Sequence, residues 1–249
     1  MDTLRHCYDK LEAIIGDTIE PYAVVETVEA YRQYFKPRKV NVILLAESHV
    51  YTTAAEHAIQ VQSPFLNLPS CPSNFARFVY CLGYGENSLL QNPIRNNSSG
   101  TWQYWKLFVS CQTPVRNDID TPFNPVLKGS TILPERIASK CQLLGRLQEM
   151  GIWLVDASIM GIDGARGKSK PKVYDEILRC SWDNHVKSIV ETASPKYVIC
   201  IGKGVWNVLQ HDVQSMMRGN CCAVSQPQSR TNDPMMRHQV CYKICKEYC

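Results

Sequence analysis

The chain has 249 residues, a formal net charge of +4 and twelve cysteines. That length is enough for one α/β domain with a full core, and so small an excess of positive charge neither requires nor excludes a nucleic-acid partner. The polar start of the sequence argues against a signal peptide, and no apolar run reaches the length of a membrane span. We therefore expect a cytoplasmic protein with no membrane partner, whose thiols stay reduced.

The cysteines do not follow the spacing of a metal site. No two of them are arranged as Cys-x-x-Cys, which argues against zinc ribbons and the common iron–sulfur motifs. Cys241, Cys245 and Cys249 recur every four residues along a predicted terminal helix. Because cysteine is often buried as a small apolar residue, we expect these three to fill the core, with a metal or redox role as the alternative. Neither a metal nor a cofactor is expected.

The first half of the chain predicts helices around one buried strand. Residues 40–49 are almost continuously apolar until Glu47, as is typical of a parallel strand that is covered on both faces. Ser73 and Asn74 form a plausible N-cap for a helix that ends at Gly83. The helices predicted in this half are 2–15, 22–35, 75–82 and an aromatic-rich helix that begins at Thr101.

The second half alternates strands with helices. The predicted helices are 134–150, roughly 173–192 and one after residue 203, and the predicted strands are 151–158, 196–203 and 221–225. This alternation predicts a three-layer α/β/α sandwich with a central, mostly parallel four-stranded sheet. We expect a single domain over 1–249, with a helical preface (1–36) and an α/β core (37–249).

Three strands end on residues that can carry chemistry. Ligands of open parallel sheets bind outside the carboxyl ends of the strands, so Glu47, Asp156 and Gly202 are expected to converge on one crevice. A basic stretch follows the strand that ends at Asp156. Its cations Arg166, Lys168 and Lys170 form either a phosphate-contacting lip or a solvated loop.

Four segments, in order, resemble motifs of the uracil-DNA glycosylase superfamily. Leu45–Tyr51 lies where that family has its catalytic motif after the first strand, and Leu68–Phe75 resembles its proline-serine segment. Gly151–Ser158 is similar to the strand that presents the base-reading Asn, with Asp156 in that place. Ser225–Arg230 resembles the His-Pro-Ser loop that ends in an intercalating residue. The match covers roughly residues 40–235.

The resemblance implies a base-flipping enzyme that breaks the N-glycosidic bond and leaves an abasic site. Glu47 would be the catalytic carboxylate, which orients a water or stabilises the developing sugar cation. His49 would be a second catalytic group or a phosphate ligand. Gln226 stands where the family has a His that hydrogen-bonds the departing base, and Ser48 stands where an Asp is more common.

The resemblance also implies residues for substrate and DNA. Arg230 takes the wedge position, and Lys203, at the start of a helix after Gly202, is placed to bind a phosphate. Further candidates for DNA contact are Ser229 and the basic stretch. The candidates for the wall that packs on the base, between which the sequence does not choose, are Tyr51, Phe65 and Ile59.

Asp156 bears on which base is excised. An ionised Asp only accepts hydrogen bonds, which fits the N4 amino group of cytosine and opposes O4 of uracil. A modified cytosine of phage DNA, such as its glucosylated hydroxymethyl form, is therefore the expected substrate, excised in antiviral defence. If Asp156 is protonated or paired with a basic neighbour, this argument weakens.

Other functions stay open on the sequence. The same glycosylase would serve base-excision repair if uracil or another deaminated base were its substrate. A nucleoside-processing enzyme or an inactive DNA-binding module are further alternatives. No lysine occupies an obvious nucleophile position, which favours a monofunctional hydrolase that acts on double-stranded DNA as a monomer.

Overall fold

A four-stranded, all-parallel sheet forms the centre of the protein, with helices packed around it in a three-layer α/β/α sandwich. The computed structural model describes residues 3–62, 68–97, 101–115, 121–163, 171–229 and 235–249. The strands lie in the order β2-β1-β3-β4. Their bounds are β1 Val42–Ala46, β2 Ile152–Asp156, β3 Tyr197–Ile201 and β4 Cys221–Val224.

The α-helices of the described residues follow the predicted alternation in the second half of the chain. Their bounds are α1 Thr3–Ile15, α2 Tyr22–Tyr34, α3 Ala54–His57, α4 Thr101–Ser110, α5 Leu133–Met150, α6 Pro171–Ser181, α7 Lys187–Ala193, α8 Lys203–Met217 and α9 Met236–Tyr248. A π-helical segment, Trp182–Val186, joins α6 to α7, and short 3₁₀ helices span Asn87–Leu89 and Thr121–Val126. None of these helices is long and apolar enough to cross a membrane.

The sheet is built from apolar residues because both of its faces are covered. Every residue of β1 and β2 is buried. The fold class predicted from the sequence is therefore confirmed.

The helix predicted over 75–82 is wrong. This segment is a series of turns in which Cys81 N–H donates to Phe78 O and Tyr84 N–H donates to Cys81 O. Its start is paired with a distant segment instead, since Phe75 N–H donates to Ile59 O at 2.9 Å. The Asn74 amide donates to His57 O at 3.1 Å rather than capping a helix. Long-range pairing thus replaces the local helix.

The cysteines are unpaired thiols. In α9, Cys241 and Cys245 are fully buried, as the stripe predicted, whereas Cys249 is exposed. Within the described ranges, no three His, Cys, Asp or Glu side chains are grouped so that they could hold a metal ion.

Gly151 makes the turn from α5 into β2. Its φ of +79° lies in the left-handed region, and a Cβ there would lie 2.6 Å from Lys39 O. Its carbonyl accepts the N–H groups of Asn41 and Val42 at 2.7 and 3.1 Å. The residue therefore fixes where β2 begins beside β1, and so where β2 ends.

Two glycine-to-alanine changes should act in opposite directions. Gly145 lies inside α5, where an added Cβ would meet no atom within 4 Å, so Gly145→Ala should raise the free energy of unfolding by about 0.5–1 kcal/mol. Gly151→Ala should lower it by more than about 1 kcal/mol, because the backbone is left-handed and the space is filled. Urea unfolding measures both values, and a neutral Gly151→Ala would contradict this account of the turn.

Candidate active site

Two carboxylates lie at the same edge of the sheet. β1 and β2 are parallel neighbours in which Ala46 is the register partner of Asp156. Glu47 directly follows Ala46, and its carbonyl accepts the Ser158 N–H at 3.0 Å. Parallel strands place their carboxyl ends together, so both carboxylates lie at the carboxyl edge of the sheet, where Asp156 lines a cavity that Glu47 does not line.

Glu47 is half-buried and is held by two donors. Tyr174 Oη donates to its Oε2 at 2.9 Å, and Gln226 Nε2 donates to the same oxygen at 3.0 Å. Burial raises the pKa of Tyr174, and the charge of Glu47 raises it further. Tyr174 therefore stays protonated, and the two donors orient an acceptor carboxylate.

Two glycines after β3 make room for these donors. A Cβ at Gly204 would lie 2.4 Å from Tyr174 Oη, and a Cβ at Gly202 would lie 2.8 Å from Gln226 Cγ. Gly202 also has a φ of +112°. Lys203 is the exposed first residue of α8 between them. The Gly-Lys-Gly sequence thus shapes the surroundings of Glu47, a role that the sequence did not reveal.

The loop that carries Gln226 is held in place by hydrogen bonds from Arg237 of α9. The Gln226 carbonyl accepts the Ser229 N–H at 3.0 Å and Ser229 Oγ at 2.7 Å. Arg237 Nη1 donates to the same carbonyl, and its Nη2 donates to Ser229 O at 3.4 Å. Ser229, predicted to contact DNA, here closes the turn.

Asp156 is buried and paired with a cation from the helical preface. Arg32 Nη2 donates to Asp156 Oδ2 at 3.1 Å, and Arg32 Nη1 donates to Glu29. Both Asp156 and Arg32 are nearly inaccessible to solvent. Asp156 thus pairs with a basic neighbour, which is the condition under which the argument from Asp156 alone to a cytosine-type base weakens.

His49 lies between two carboxylates. Its Nε2 is 2.6 Å from Glu20 Oε2, and its Nδ1 is 3.8 Å from Asp156 Oδ2. Glu20 is itself fixed, because it accepts the N–H groups of Thr52 and Gly161 at 2.6 and 2.8 Å. Burial lowers the pKa of His49, but the two carboxylates outweigh it and raise the pKa from 6.5 to about 9. His49 is therefore an imidazolium at neutral pH.

The Nδ1 atom of His49 is buried and has no hydrogen-bond partner among the described residues. Since the Nε2–H group of His49 donates to Glu20, its Nδ1–H group is a second donor, directed away from that bond. Beside it stands Asp156, an acceptor. An acceptor and a donor therefore lie next to each other at the crevice.

A narrow cavity of about 40 Å³ opens at this pair. Phe78 and Tyr104 form aromatic walls, and Ser48, whose Oγ accepts the Ile162 N–H at 3.3 Å, also lines it. Gln228, rather than Gln226, closes the exposed side. Burial raises the pKa of Tyr104, and the charges of Asp156 and Glu47 raise it further.

The predicted walls lie elsewhere or outside the described residues. Tyr51 donates its N–H to Asp163 Oδ1 at 2.7 Å, and Ile59 accepts from Phe75. Neither lines the cavity as far as the structure describes it. Five further predicted site residues fall outside the described residues: Phe65, Arg166, Lys168, Lys170 and Arg230.

Sequence reasoning missed Phe78, Tyr104, Arg32 and Glu20. The aromatic-rich start of α4 was a signal for Tyr104, although it did not single out this residue. Arg32 lies one turn after the buried Val28 of α2, so its burial could be anticipated from the helix pattern, but its distant partner Asp156 could not. No sequence signal marked Glu20.

No family model, no curated protein and no solved structure matches this chain.

The buried imidazolium should make stability depend on pH. A pKa raised from 6.5 to about 9 stabilises the fold by roughly 3 kcal/mol. That contribution is fully present below pH 6.5 and is lost as the pH rises through 9. Urea unfolding between pH 6 and 9.5 should show this decline in the wild type and a much smaller decline in His49→Gln.

The matched control is the exposed residue His211. His211→Gln should keep the wild-type decline. If His49→Gln and the wild type lost stability in parallel above pH 7, the charged state assigned to His49 would be wrong.

Proposed function

We propose that this protein is a monofunctional DNA glycosylase that flips a pyrimidine out of DNA and hydrolyses its N-glycosidic bond. The favoured substrate is a modified cytosine of phage DNA, and the abasic sites left behind disable the invading genome. The observation that carries the proposal is the Asp156–His49 pair at a small cavity, at the edge of the sheet where Glu47 follows β1. It joins an acceptor, a charged donor and a catalytic carboxylate at one edge of the sheet.

The sugar and the departing base develop opposite charges during cleavage, so the protein must stabilise both. Cleavage builds positive charge on the sugar and negative charge on the departing base. Glu47, held by Tyr174 and Gln226, stabilises the sugar cation and orients the attacking water. The Nδ1–H of His49 donates to the departing base, which supplies the charge that Gln226 lacks.

The Watson–Crick edge of cytosine matches the pair. Its N4 amino group donates to Asp156, and its N3 accepts from His49. Arg32 and His49 lie among the carboxylates of Glu20, Glu29 and Asp156, and His185 Nε2 lies 4.0 Å from Glu29 Oε2. Asp156 is the carboxylate of this cluster that lines the cavity, and its acceptor oxygens favour an amino-bearing base. Because excision of ordinary cytosine would destroy the host genome, the base is one modified at C5.

The small size of the cavity means that base binding requires movement. Pockets for drug-sized ligands have volumes of about 300–1,000 Å³, far more than the 40 Å³ between these side chains. Gln228 is exposed on a surface turn and is the side chain free to open the cavity. A base that inserts between Phe78 and Tyr104 then fills the small cavity and stacks against the two aromatic rings.

Uracil is the second candidate, and one observation favours it. A lone Asp is unsuited to uracil, but Asp156 with His49 offers both an acceptor for N3–H and a donor for O4. The pair therefore supplies what one Asn amide supplies by itself. Base release from duplexes that carry each base decides between the two candidates.

Base release should depend on Glu47. Duplexes that contain cytosine, uracil, 5-hydroxymethylcytosine or its glucosylated form are incubated with the protein and then cleaved with alkali at abasic sites. We expect cleavage with a modified cytosine, and a rate roughly 10²–10³-fold lower for Glu47→Gln. Above about pH 9 the rate should fall as His49 loses its proton.

Glu149→Gln is the matched control, because Glu149 is exposed near the end of α5, at the opposite edge of the sheet. It should react like the wild type. Release from uracil alone would select the second candidate. Cleavage of free deoxynucleosides but not of duplexes would instead indicate a nucleoside-processing enzyme. No release from any duplex or nucleoside would leave only the DNA-binding module.

A further inference from the structure

A second, larger cavity lies beside the first. Its volume is about 430 Å³, within the range of pockets for small ligands. It is lined by residues 84–86, by the first two turns of α4, by residues 126–129 and by Lys140 of α5. Tyr84 and Thr101 line both cavities, so a ligand in one would be next to a ligand in the other.

The charge of this second cavity is positive. Its carboxylate, Glu86, is fully engaged: Arg136 Nε and Nη2 donate to its two oxygens at 2.8 and 2.9 Å, and Lys140 Nζ donates at 2.8 Å. One anion and two cations leave +1 in that cluster. Lys128, which is exposed, adds a further positive charge to the lining. Burial and the neighbouring cations Arg136 and Lys128 lower the pKa of Lys140 against the pull of Glu86.

Two buried polar atoms of the lining have no hydrogen-bond partner among the described residues. They are Trp105 Nε1 and Thr101 Oγ1, on side chains whose residues are 1% and 5% exposed. A buried unpaired polar group is costly, and both atoms can donate. The first turn of α4 adds backbone N–H groups and the positive end of its dipole. All of these features suit a ligand with several acceptor oxygens.

An aromatic surface stands at the rim. Trp102 is 48% exposed, which is unusual for so large an apolar side chain, and Lys106 Nζ lies 5.1 Å from its ring centroid. Exposed indoles stack on nucleobases, because every base has a π-face. A phosphate near the lysines and a base against Trp102 would use both parts of the cavity.

We propose that this second cavity binds a nucleotide, with its phosphate against Lys128, Lys140 and the Thr101 hydroxyl and its base on Trp102. The nucleotide is either the neighbour of the flipped base in a bound strand or a free nucleotide. The inference stands on the cavity and does not require glycosylase activity, so its test measures binding alone.

Intrinsic tryptophan fluorescence tests the proposal with deoxycytidine, deoxycytidine monophosphate, inorganic phosphate and a single-stranded deoxythymidine hexamer. We expect the monophosphate to quench the emission, phosphate to compete with it, and deoxycytidine to bind at least tenfold more weakly. Trp102→Phe should remove the quenching. A hexamer that binds more tightly than the monophosphate identifies a neighbouring nucleotide of a strand, and the reverse order identifies a free one.

Two variants locate the phosphate. Lys128→Glu, on an exposed side chain, should weaken monophosphate binding about tenfold or more. Thr101→Val should weaken it severalfold without lowering the melting temperature, because the hydroxyl that it removes has no partner in the described part of the fold. Lys187→Glu, an exposed residue of α7, is the charge-matched control and should bind like the wild type.

The proposal is overturned if no phosphate-bearing probe binds, or if deoxycytidine binds as well as its monophosphate. It is also overturned if Lys128→Glu and Thr101→Val keep wild-type affinity. A drop in the melting temperature of Thr101→Val would make the hydroxyl a structural group, and Lys128→Glu then decides the test.

Discussion

A buried chain of charges joins the helical preface to the carboxyl edge of the sheet. Glu29, Arg32, Asp156, His49 and Glu20 follow one another through contacts of alternating sign. Breaking a buried ion pair leaves an uncompensated charge, which costs about 3–5 kcal/mol. Each member therefore fixes the orientation of the next. The geometry of the crevice depends on this chain, and so does the docking of α2 beside β2, where Trp153 Nε1 also donates to Arg32 O at 2.9 Å.

The same row of buried charges changes which ligand groups Asp156 can recognise. Considered alone, this carboxylate binds a hydrogen-bond donor and disfavours a carbonyl oxygen. Beside a charged His49 it becomes half of a donor–acceptor pair, so the proposed choice of base depends on two side chains rather than one. The cavity next to the pair is lined by lysines, and its carboxylate Glu86 already accepts from Arg136 and Lys140. An amino-bearing base and a phosphate would thus find complementary surroundings in adjacent spaces.

The sequence predicted what depends on local patterns. The strands that end at Ala46 and Asp156 follow from apolar runs, and α5 follows from its periodicity and from Gly151. Because the two strands are parallel neighbours, their topology then places Glu47 and Asp156 at the same edge of the sheet. The helix predicted over 75–82 is absent because the backbone of Phe75 is hydrogen-bonded to Ile59. Short-range periodicity does not reveal such long-range pairing. Arg32 was missed for the same reason, since its partner Asp156 is 124 residues away.

The tether from α9 to the Gln226 loop has a consequence for biosynthesis. Among the described elements, α9 is the last to leave the ribosome, yet its Arg237 fixes the turn that presents Gln226 to Glu47. A nascent chain that has emerged only as far as β4 holds the sheet and the ionic cluster without this anchor. The second donor to Glu47, after Tyr174 of α6, is thus fixed in place only once α9 has been synthesised and has packed against the Gln226 loop.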